Sequence, residues 1–294
     1  MNFLSSLISG LSLGSVYAII ALGYTMVYGI SKMLNFAHGD IIMIGAYVSF
    51  IMTMHLGMNA WVALVIAMAV CTCLGVLIER LAYRPLRGTG SLAVLITAIG
   101  VSYFLQNMAL LIWGANPRIF TSLFNGMEPI HAAGGKLNIT PESIFTITAN
   151  IVIMIVLTLF VNKTKAGKAM RAVSEDNGAA QLMGINVNQS ISLTFAIGSG
   201  LAAVAGVLMC SAYPVLIPTT GAMPGIKAFT AAVFGGIGSI PGAMIGGLIL
   251  GIIEIFSRAY ISTELADAIV FGCLIIVLLV RPTGLLGKKE NVKV

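Results

Sequence analysis

Charged residues are scarce in this sequence of 294 residues, in which Asp, Glu, Lys and Arg together make up only 9%. A soluble domain carries roughly 25% charged residues, so this composition excludes a protein with a mainly water-facing surface. Hydrophobic residues make up 58% and the mean hydropathy is +1.01, values that indicate a membrane protein. Most of the 33 glycines lie inside apolar runs, where small residues let transmembrane helices approach closely.

Motifs for ATP binding and for zinc-dependent hydrolysis are absent from the sequence. There is no GxxxxGK[ST] phosphate-binding loop and no HExxH, and the three histidines are far apart. The 16 Lys and Arg residues form no cluster with interleaved aromatics, which argues against a nucleic-acid partner. The sequence therefore predicts a protein that is not an enzyme and has no cofactor or metal site. The four cysteines lie in apolar stretches and are expected to pack as small hydrophobes: Cys71, Cys73, Cys210 and Cys273.

Hydropathy predicts an all-α, polytopic bundle of transmembrane helices that fills the chain as one domain, 1–294. A helix needs about 20 apolar residues to cross the hydrocarbon layer, so the shortest run leaves the count at eight or nine crossings. That run, 226–237, is broken by glycine and is followed by two more. The nine runs are 3–30, 41–56, 61–78, 92–113, 144–161, 191–212, 226–237, 242–256 and 265–280.

Positive charge predicts the orientation, because Lys and Arg are concentrated in cytoplasmic loops. If all three basic segments face the cytoplasm, the run 226–237 must cross, and the N-terminus lies outside. The connection 114–143 is then external, and its turn formers include Pro117, Pro129, Gly134 and Gly135. The basic segments are Arg80, Arg84 and Arg87; Lys163, Lys165, Lys168 and Arg171; and Arg281, Lys288, Lys289 and Lys293.

Ionisable residues inside the apolar runs are few, and an ion-coupled carrier needs such groups deep within its spans. Only His55, Lys227, Glu254 and Asp267 qualify, and each lies within a few residues of the end of a run. We expect them to be interfacial rather than parts of a proton relay, and Glu254 is the first to reconsider. Energy for transport must then come from a partner.

Two regions interrupt the apolar pattern. In the first, polar residues and a glycine stand between long runs: Asn35, His38, Gly39 and Asp40. The second, 213–247, is broken by glycine and proline, among them Gly235, Gly236, Gly238 and Pro241. Broken helices at matching positions in two halves point to a translocation path, with Asn35 and Asp40 bonding freed backbone N–H groups and Gly39 supplying the bend. The alternatives are a surface turn in the first region and close helix packing in the second.

The predicted cytoplasmic connection 163–189 is too long and too apolar for a plain connector, although a solvated connector remains the alternative. Ser174 can cap a helix of about two turns whose first turn holds Glu175 and Asp176, and Gly184 suits the position after its end. An exposed apolar face on such a helix requires a partner groove.

Several motifs together resemble the permease subunits of branched-chain amino-acid ABC importers, of the LivH type. They cover both halves of the chain, whereas the connection 114–143 adds little. The motifs are NFAHGD at 35–40, ERLAYRPLRG at 79–88, GKAMRAVSEDNGAAQLMGIN at 167–186, AFTAAVFGGIGSIPGAMIGG at 228–247 and RPTGLLG at 281–287.

The resemblance implies a vitamin-importer-like fold in the bacterial inner membrane and a heterodimer with a second permease. It also implies two ATPase subunits, an external solute-binding protein and branched-chain or related amino acids as substrates. Related ABC permeases carry an EAAxxxG pattern in the loop that contacts the ATPase, and here Gly replaces its Glu. The residues expected to couple to the ATPase are Arg171, Ser174, Glu175, Asp176, Gly178, Ala179, Ala180 and Gly184.

Two other classes of function stay open on the residues alone. An ion-coupled secondary carrier or a channel would need no ATPase, but the scarcity of charge within the runs disfavours it. A membrane scaffold would have no need of broken helices in both halves. ATP-dependent uptake and co-purification with ATPase subunits distinguish the three.

Overall fold

The computed structural model describes residues 3–132 and 137–287. The predicted turn glycines Gly134 and Gly135 and the basic residues Lys288, Lys289 and Lys293 lie outside the described residues. Within them, the helices are α1 Phe3–Ser31, α2 His38–Met54, α3 Ala60–Ile78, α4 Ser91–Trp113, α5 Pro141–Lys163, α6 Lys165–Glu175, α7 Asn177–Leu182, α8 Val187–Ala212, α9 Ala222–Gly235, α10 Ile240–Tyr260 and α11 Ala266–Val280.

Short irregular elements join these helices. Helix α3 continues into a π-helical turn, Glu79–Tyr83, and then a 3-10 turn, Arg84–Leu86. Strand β1 (Arg118–Ile119) pairs antiparallel with β4 (Val215–Leu216), which joins the segment after α4 to the segment after α8. Strands β2 (Ile130–Ala132) and β3 (Leu137–Ile139) form an antiparallel pair between α4 and α5.

The predicted all-α bundle with short and broken helices is confirmed. In the described residues, six helices are long and apolar enough to cross a membrane, and α2 and α11 are shorter apolar helices. Each predicted run falls on one helix, because continuous hydrophobicity over a run leaves the α-helix as the conformation that satisfies its own backbone in lipid. The total of eight or nine crossings remains a prediction.

One end of the bundle collects the basic loops, and we call it the basic end. Arg87, in the loop after α3, donates from Nη1 to Asn188 Oδ1 in the first turn of α8 at 2.5 Å. The end of α1, at Ser31 and Lys32, lines the same cleft as Arg87 and Asn177 of α7. These segments lie together at one end of the bundle, which agrees with the expectation that the basic segments face one side of the membrane.

The start of α2 lies inside the bundle rather than at its end. Helix α1 reaches the basic end at Ser31, and the next six residues turn back beside it. A Cβ on Gly23 would lie 2.6 Å from His38 Nε2, so the first residue of α2 is level with Gly23. Gly23 precedes Ser31 by eight residues, which is about 12 Å along a helix axis.

The start of α9 lies inside the bundle as well, next to the start of α2. After α8 ends, residues 213–221 return into the bundle before α9 begins. A Cβ on Gly39 would lie 2.7 Å from the carbonyl oxygen of Gly221, and one on Gly225 would lie 2.9 Å from Gly39 Cα. The two short helices therefore meet through glycine backbone at their N-termini and run apart from there.

The two halves of the chain form an inverted repeat. Helix α1 packs on α10 as α8 packs on α3, and α2 packs on α8 as α9 packs on α1. Helices α2 and α9 also pack on the helices that follow them, α3 and α10. The first helix of each set runs in the opposite direction to its counterpart, since α1 ends at the basic end and α8 starts there. This is the inverted-topology arrangement that many transporters use.

The break between α9 and α10 contains the glycines and the proline that interrupt this apolar run in the sequence. Gly236 and Gly238 have φ of +106° and +91°, values that favour glycine, and Pro241 lies in the first turn of α10. A Cβ on Gly235 would overlap the carbonyl of Gly242, so the two helices also pack closely here. The backbone N–H of Leu286 donates to Gly235 O at 2.9 Å and closes the turn against the C-terminal segment.

The glycine contact between α2 and α9 predicts that Gly221→Ala destabilises the protein. The added Cβ would overlap the carbonyl of Gly39, and relieving such overpacking costs about 1–3 kcal/mol. Thermal unfolding in detergent should show a lower midpoint than the wild type. Gly100→Ala and Gly272→Ala are matched controls, because no described atom lies within 4 Å of a Cβ there. A midpoint for Gly221→Ala equal to those of the controls would contradict the contact.

Candidate functional site

The polar segment 35–40 is buried, so it is not a surface turn. Asn35 and Asp40 are each 2% exposed and His38 is 1% exposed. The Tyr83 hydroxyl donates to Asn35 Oδ1 at 2.8 Å, and Gln106 Nε2 donates to Asp40 Oδ1 at 2.9 Å. The sequence predicted backbone N–H partners for both side chains. The structure pairs Asn35 with a side chain of the π-helical turn, whereas the Asp40 carboxylate bonds side chains of α4 and its own backbone N–H.

Gly39 was predicted to supply a bend in the chain, and it has a different role in the structure. It is the second residue of α2, and its lack of a side chain permits the close approach of Gly221 rather than a bend. The bend comes earlier, at Lys32, whose φ of +55° ends α1. Left-handed backbone at a residue other than glycine is uncommon and marks a turn that the surrounding structure holds in place.

Some polar atoms around this segment lack a partner within the described residues. They include Asn35 Nδ2, His38 Nε2 and Thr25 Oγ1. The imidazole of His38 packs against the ring of Tyr24, with centroids 4.6 Å apart. A buried polar atom without a hydrogen bond costs about 1–3 kcal/mol, so a group of them calls for a specific explanation.

A cluster of charged groups centres on Lys227 and Glu254, for which the sequence predicted an interfacial position, and both side chains are buried against neighbouring helices. Glu254 of α10 is fully buried, and its carboxylate pairs with Lys227 Nζ of α9 at 2.7 Å and with Arg258. The Tyr17 hydroxyl of α1 donates to Glu254 Oε2 at 2.9 Å. Lys227 also pairs with Asp267 of α11 at 2.6 Å, and that carboxylate is 42% exposed.

This cluster joins four helices and contains two cations and two anions, so its formal charge is zero. Inside an apolar bundle an unpaired charge is very costly, and mutual pairing makes the burial tolerable. Hydropathy could not reveal it, because each helix shows only one or two charges near the end of a long run. A signal was present in the complementary signs of Lys227 and Glu254, but the sequence does not say that α9 and α10 lie side by side.

The connection 163–189 holds two helices rather than one, and its cap differs from the predicted one. Ser174 lies in the last turn of α6, where its hydroxyl donates to Arg171 O at 2.7 Å. The cap of α7 is Asp176, whose Oδ1 accepts from the backbone N–H of Gly178 at 2.8 Å and of Ala179 at 3.0 Å. Both residues are cap formers, and the extended backbone at Asp176 makes it the cap.

The end of α7 matches the prediction at Gly184. This glycine has φ of +80°, and the following N–H, of Ile185, donates to Ala180 O at 3.0 Å. These features are those of a Schellman C-cap. Ala180 is buried, whereas Leu182 and Met183 are 90% and 82% exposed. The helix therefore presents two large apolar side chains at the basic end of the bundle.

The predicted site residues fall into three separate places. Asn35, His38, Gly39 and Asp40 lie in the interior beside the start of α9. The group Gly235, Gly236, Gly238 and Pro241 lies at the basic end against the C-terminal segment. The residues expected to couple to the ATPase lie on α6, at Asp176 between α6 and α7, on α7 and in the turn after α7. A cleft of about 660 Å³ at the basic end is lined by residues of α1, α4, α7 and α8 and by Arg87.

Comparison with known proteins identifies relatives over the whole chain. The family model of branched-chain amino acid transport system permease components matches residues 6–278. The high-affinity branched-chain amino acid transport system permease protein LivH of Escherichia coli (strain K12) is 49% identical, over 100% of this chain and 98% of that protein. BraD of Pseudomonas aeruginosa, described in the same words, is 45% identical over the same shares. LivM of Escherichia coli (strain K12) is 25% identical over 94% of this chain and 68% of that protein.

The buried charge cluster predicts that Glu254→Gln strongly destabilises the protein. The substitution leaves Lys227 and Arg258 facing Asp267 alone, and removing one partner of a buried pair costs about 3–5 kcal/mol. The midpoint of thermal unfolding in detergent should fall, and the exposed Glu264→Gln should leave it unchanged. The double variant Lys227→Met with Glu254→Met restores charge balance and should recover most of the loss. A stable Glu254→Gln protein that cannot transport would instead indicate a proton relay.

Proposed function

The chain belongs to the family of branched-chain amino acid transport system permease components, and from this premise we propose that it carries branched-chain or closely related amino acids across the membrane. It is the permease subunit of an ABC importer and a multi-pass protein of the bacterial inner membrane. The proposal concerns the substrate, the partners and the residues that do the work.

The proposed complex pairs this chain with a second, different permease subunit. Similarity to LivH and, more distantly, to LivM of the same organism supports two related permeases that act together. Two ATPase subunits at the basic end supply ATP hydrolysis, which this chain does not perform. An external solute-binding protein delivers the amino acid at the opposite end.

Helix α7 is the proposed contact with the ATPase, and its exposed apolar end is the observation that carries the proposal. Leu182 and Met183 are large and almost fully exposed at the end of the bundle where the basic loops lie. That end faces the cytoplasm by the distribution of Lys and Arg, and α7 lies outside the apolar runs that cross the membrane. Apolar side chains on a short, capped helix fit a groove on a partner protein.

The segment 35–40 and the start of α9 are the proposed lining of the translocation path. Two helices that start inside a bundle at equivalent positions of inverted repeats mark the substrate site in many transporters. The unpartnered Asn35 Nδ2 and His38 Nε2 support this assignment, because a change of conformation or a passing polar molecule could pair them. The buried charges Lys227 and Glu254 are paired with each other, so the path itself need not hold a strong ionic site. Selectivity then resides in the binding protein.

Met183→Asp tests the ATPase contact. A charge at the end of α7 should prevent docking, so the purified chain should lose its ATPase subunits and vesicles should lose ATP-dependent amino-acid uptake. Insertion should be unaffected, since the side chain is exposed. Met127→Asp, at a side chain 61% exposed in the 114–143 connection, is the matched control and should keep the ATPase. Normal ATPase retention by Met183→Asp would refute the contact, and uptake without ATP would refute the importer mechanism.

Single cysteines at 35–40 test the path. Asn35, His38 and Asp40 are almost fully buried, so thiols there should react slowly with a water-soluble reagent in the resting complex. Addition of ATP and binding protein should increase the rate at positions that line the path. The native Cys210 is buried in α8 and is the control. Faster labelling of Cys210 as well would indicate that the whole bundle has become accessible. Slow labelling at 35–40 in every state would remove these residues from the path.

A further inference from the structure

A second polar cluster lies at the basic end, and none of the assignments above uses it. Glu79, the first residue of the π-helical turn, is fully buried. Its carboxylate pairs with Arg87 through Oε1, and its Oε2 accepts from the Ser192 hydroxyl of α8 at 2.5 Å. Arg87 donates in turn to Asn188 Oδ1 of α8 at 2.5 Å. One carboxylate and one guanidinium thus join the end of α3 to the first turns of α8.

The cluster continues toward the buried segment 35–40 through Tyr83. This residue ends the same π-helical turn, is fully buried, and donates its hydroxyl to Asn35 Oδ1 at 2.8 Å. Its ring packs against Phe195 of α8, with centroids 5.4 Å apart. Single π-helical turns inside helices are rare, and many of those that occur lie at functional sites. The turn here places one end on α8 and the other on Asn35.

The cluster also lies directly beside α7 in the chain. Helix α8 begins at Val187 with its cap at Asn186, whose Oδ1 accepts from Gln189 N at 3.1 Å. Only four residues separate α7 from α8, and Gly184 fixes the turn between them. Helix α7 is therefore joined by a short, fixed turn to the first turns of α8, where Asn188 and Ser192 hold Arg87 and Glu79.

We propose that Glu79 and Arg87 are positioning residues that transmit movement of α7 through the π-helical turn and Tyr83 to the segment 35–40. This inference rests on the proposed function of α7 and of the segment 35–40, and it adds the physical connection between them. The ion pair acts as a stiff link because Glu79 is buried and Arg87 is only 19% exposed at its side chain, so water competes little for either group.

Substitution of both Glu79 and Arg87 distinguishes a pair that transmits movement from a pair that only stabilises the fold. Removal of one partner leaves an uncompensated buried charge, whereas neutral replacement of both is often tolerated. Glu79→Gln or Arg87→Gln alone should therefore impair assembly. The double variant should assemble with its ATPase subunits, because the buried site is neutral again, but it should lack the stiff link.

The experiment measures ATP hydrolysis and amino-acid uptake in proteoliposomes that contain the complete importer. For Glu79→Gln with Arg87→Gln, uptake per ATP hydrolysed should fall at least about fivefold, the lower end of typical coupling between sites. Tyr83→Phe removes only the hydroxyl that bonds Asn35 and should lower the same ratio, which keeps the test open if the double variant fails to assemble. Arg84→Gln, in the same loop, is the control and should leave the ratio unchanged.

The outcomes separate this inference from the function on which it rests. A ratio within about twofold of the wild type for Tyr83→Phe and for an assembled double variant would overturn the link, since coupled sites usually differ by at least about fivefold. A cysteine at Asp176 that fails to crosslink to the ATPase would instead refute the role of α7. If the crosslink forms and the ratio falls, both stand.

Discussion

Backbone groups inside a membrane bundle must find their partners in the protein, and the two helices that start in the interior show how this chain meets that requirement. At the start of α2, the N–H groups of His38 and Ile41 donate to Asn35 O and Ala37 O at 3.2 Å each. At the start of α9, Ala222 N donates to Thr219 O at 3.0 Å, and Pro224 has no N–H to satisfy. With these donors used locally, each start lies against the other through glycine, and the neighbouring helices pack around that contact.

The helices were predictable from the sequence, but the positions at which α2 and α9 begin inside the bundle were not. Hydropathy located each span because the apolar runs are long and are separated by basic or turn-forming residues. The polar interruption at 35–40 favoured a broken helix over a surface turn. Hydropathy did not show that residues 32–37 turn back beside α1, since a buried connector and an exposed one of six residues have similar composition. The burial of Asn35 and Asp40 depends on Tyr83 and Gln106, which are 48 and 66 residues away in the chain.

In the candidate sites too, features that depend on local sequence were predictable, and features that depend on distant residues were not. Gly184 was identified because a helix end with φ above zero favours glycine whatever lies around it. The choice between Ser174 and Asp176 as cap was missed, since both are suitable and backbone angles decide. The clusters at Glu79 and Glu254 join residues as far as 113 and 237 positions apart, and a single sequence carries no record of such pairings.

Helix α5 has few buried residues, namely Thr146, Asn150 and Leu157, and it has no counterpart in the inverted repeat. In the first repeat, α1 starts and α4 ends at the same end of the bundle, opposite the basic end. A second copy joined directly to α4 would start at that end too and would have the same orientation as the first. One additional helix, α5, moves the start of the second repeat to the basic end, and the antiparallel meeting of α2 and α9 then becomes possible. The least buried long helices can thus be indispensable: α5 contributes little to the core but determines, by parity, which way half of the protein faces.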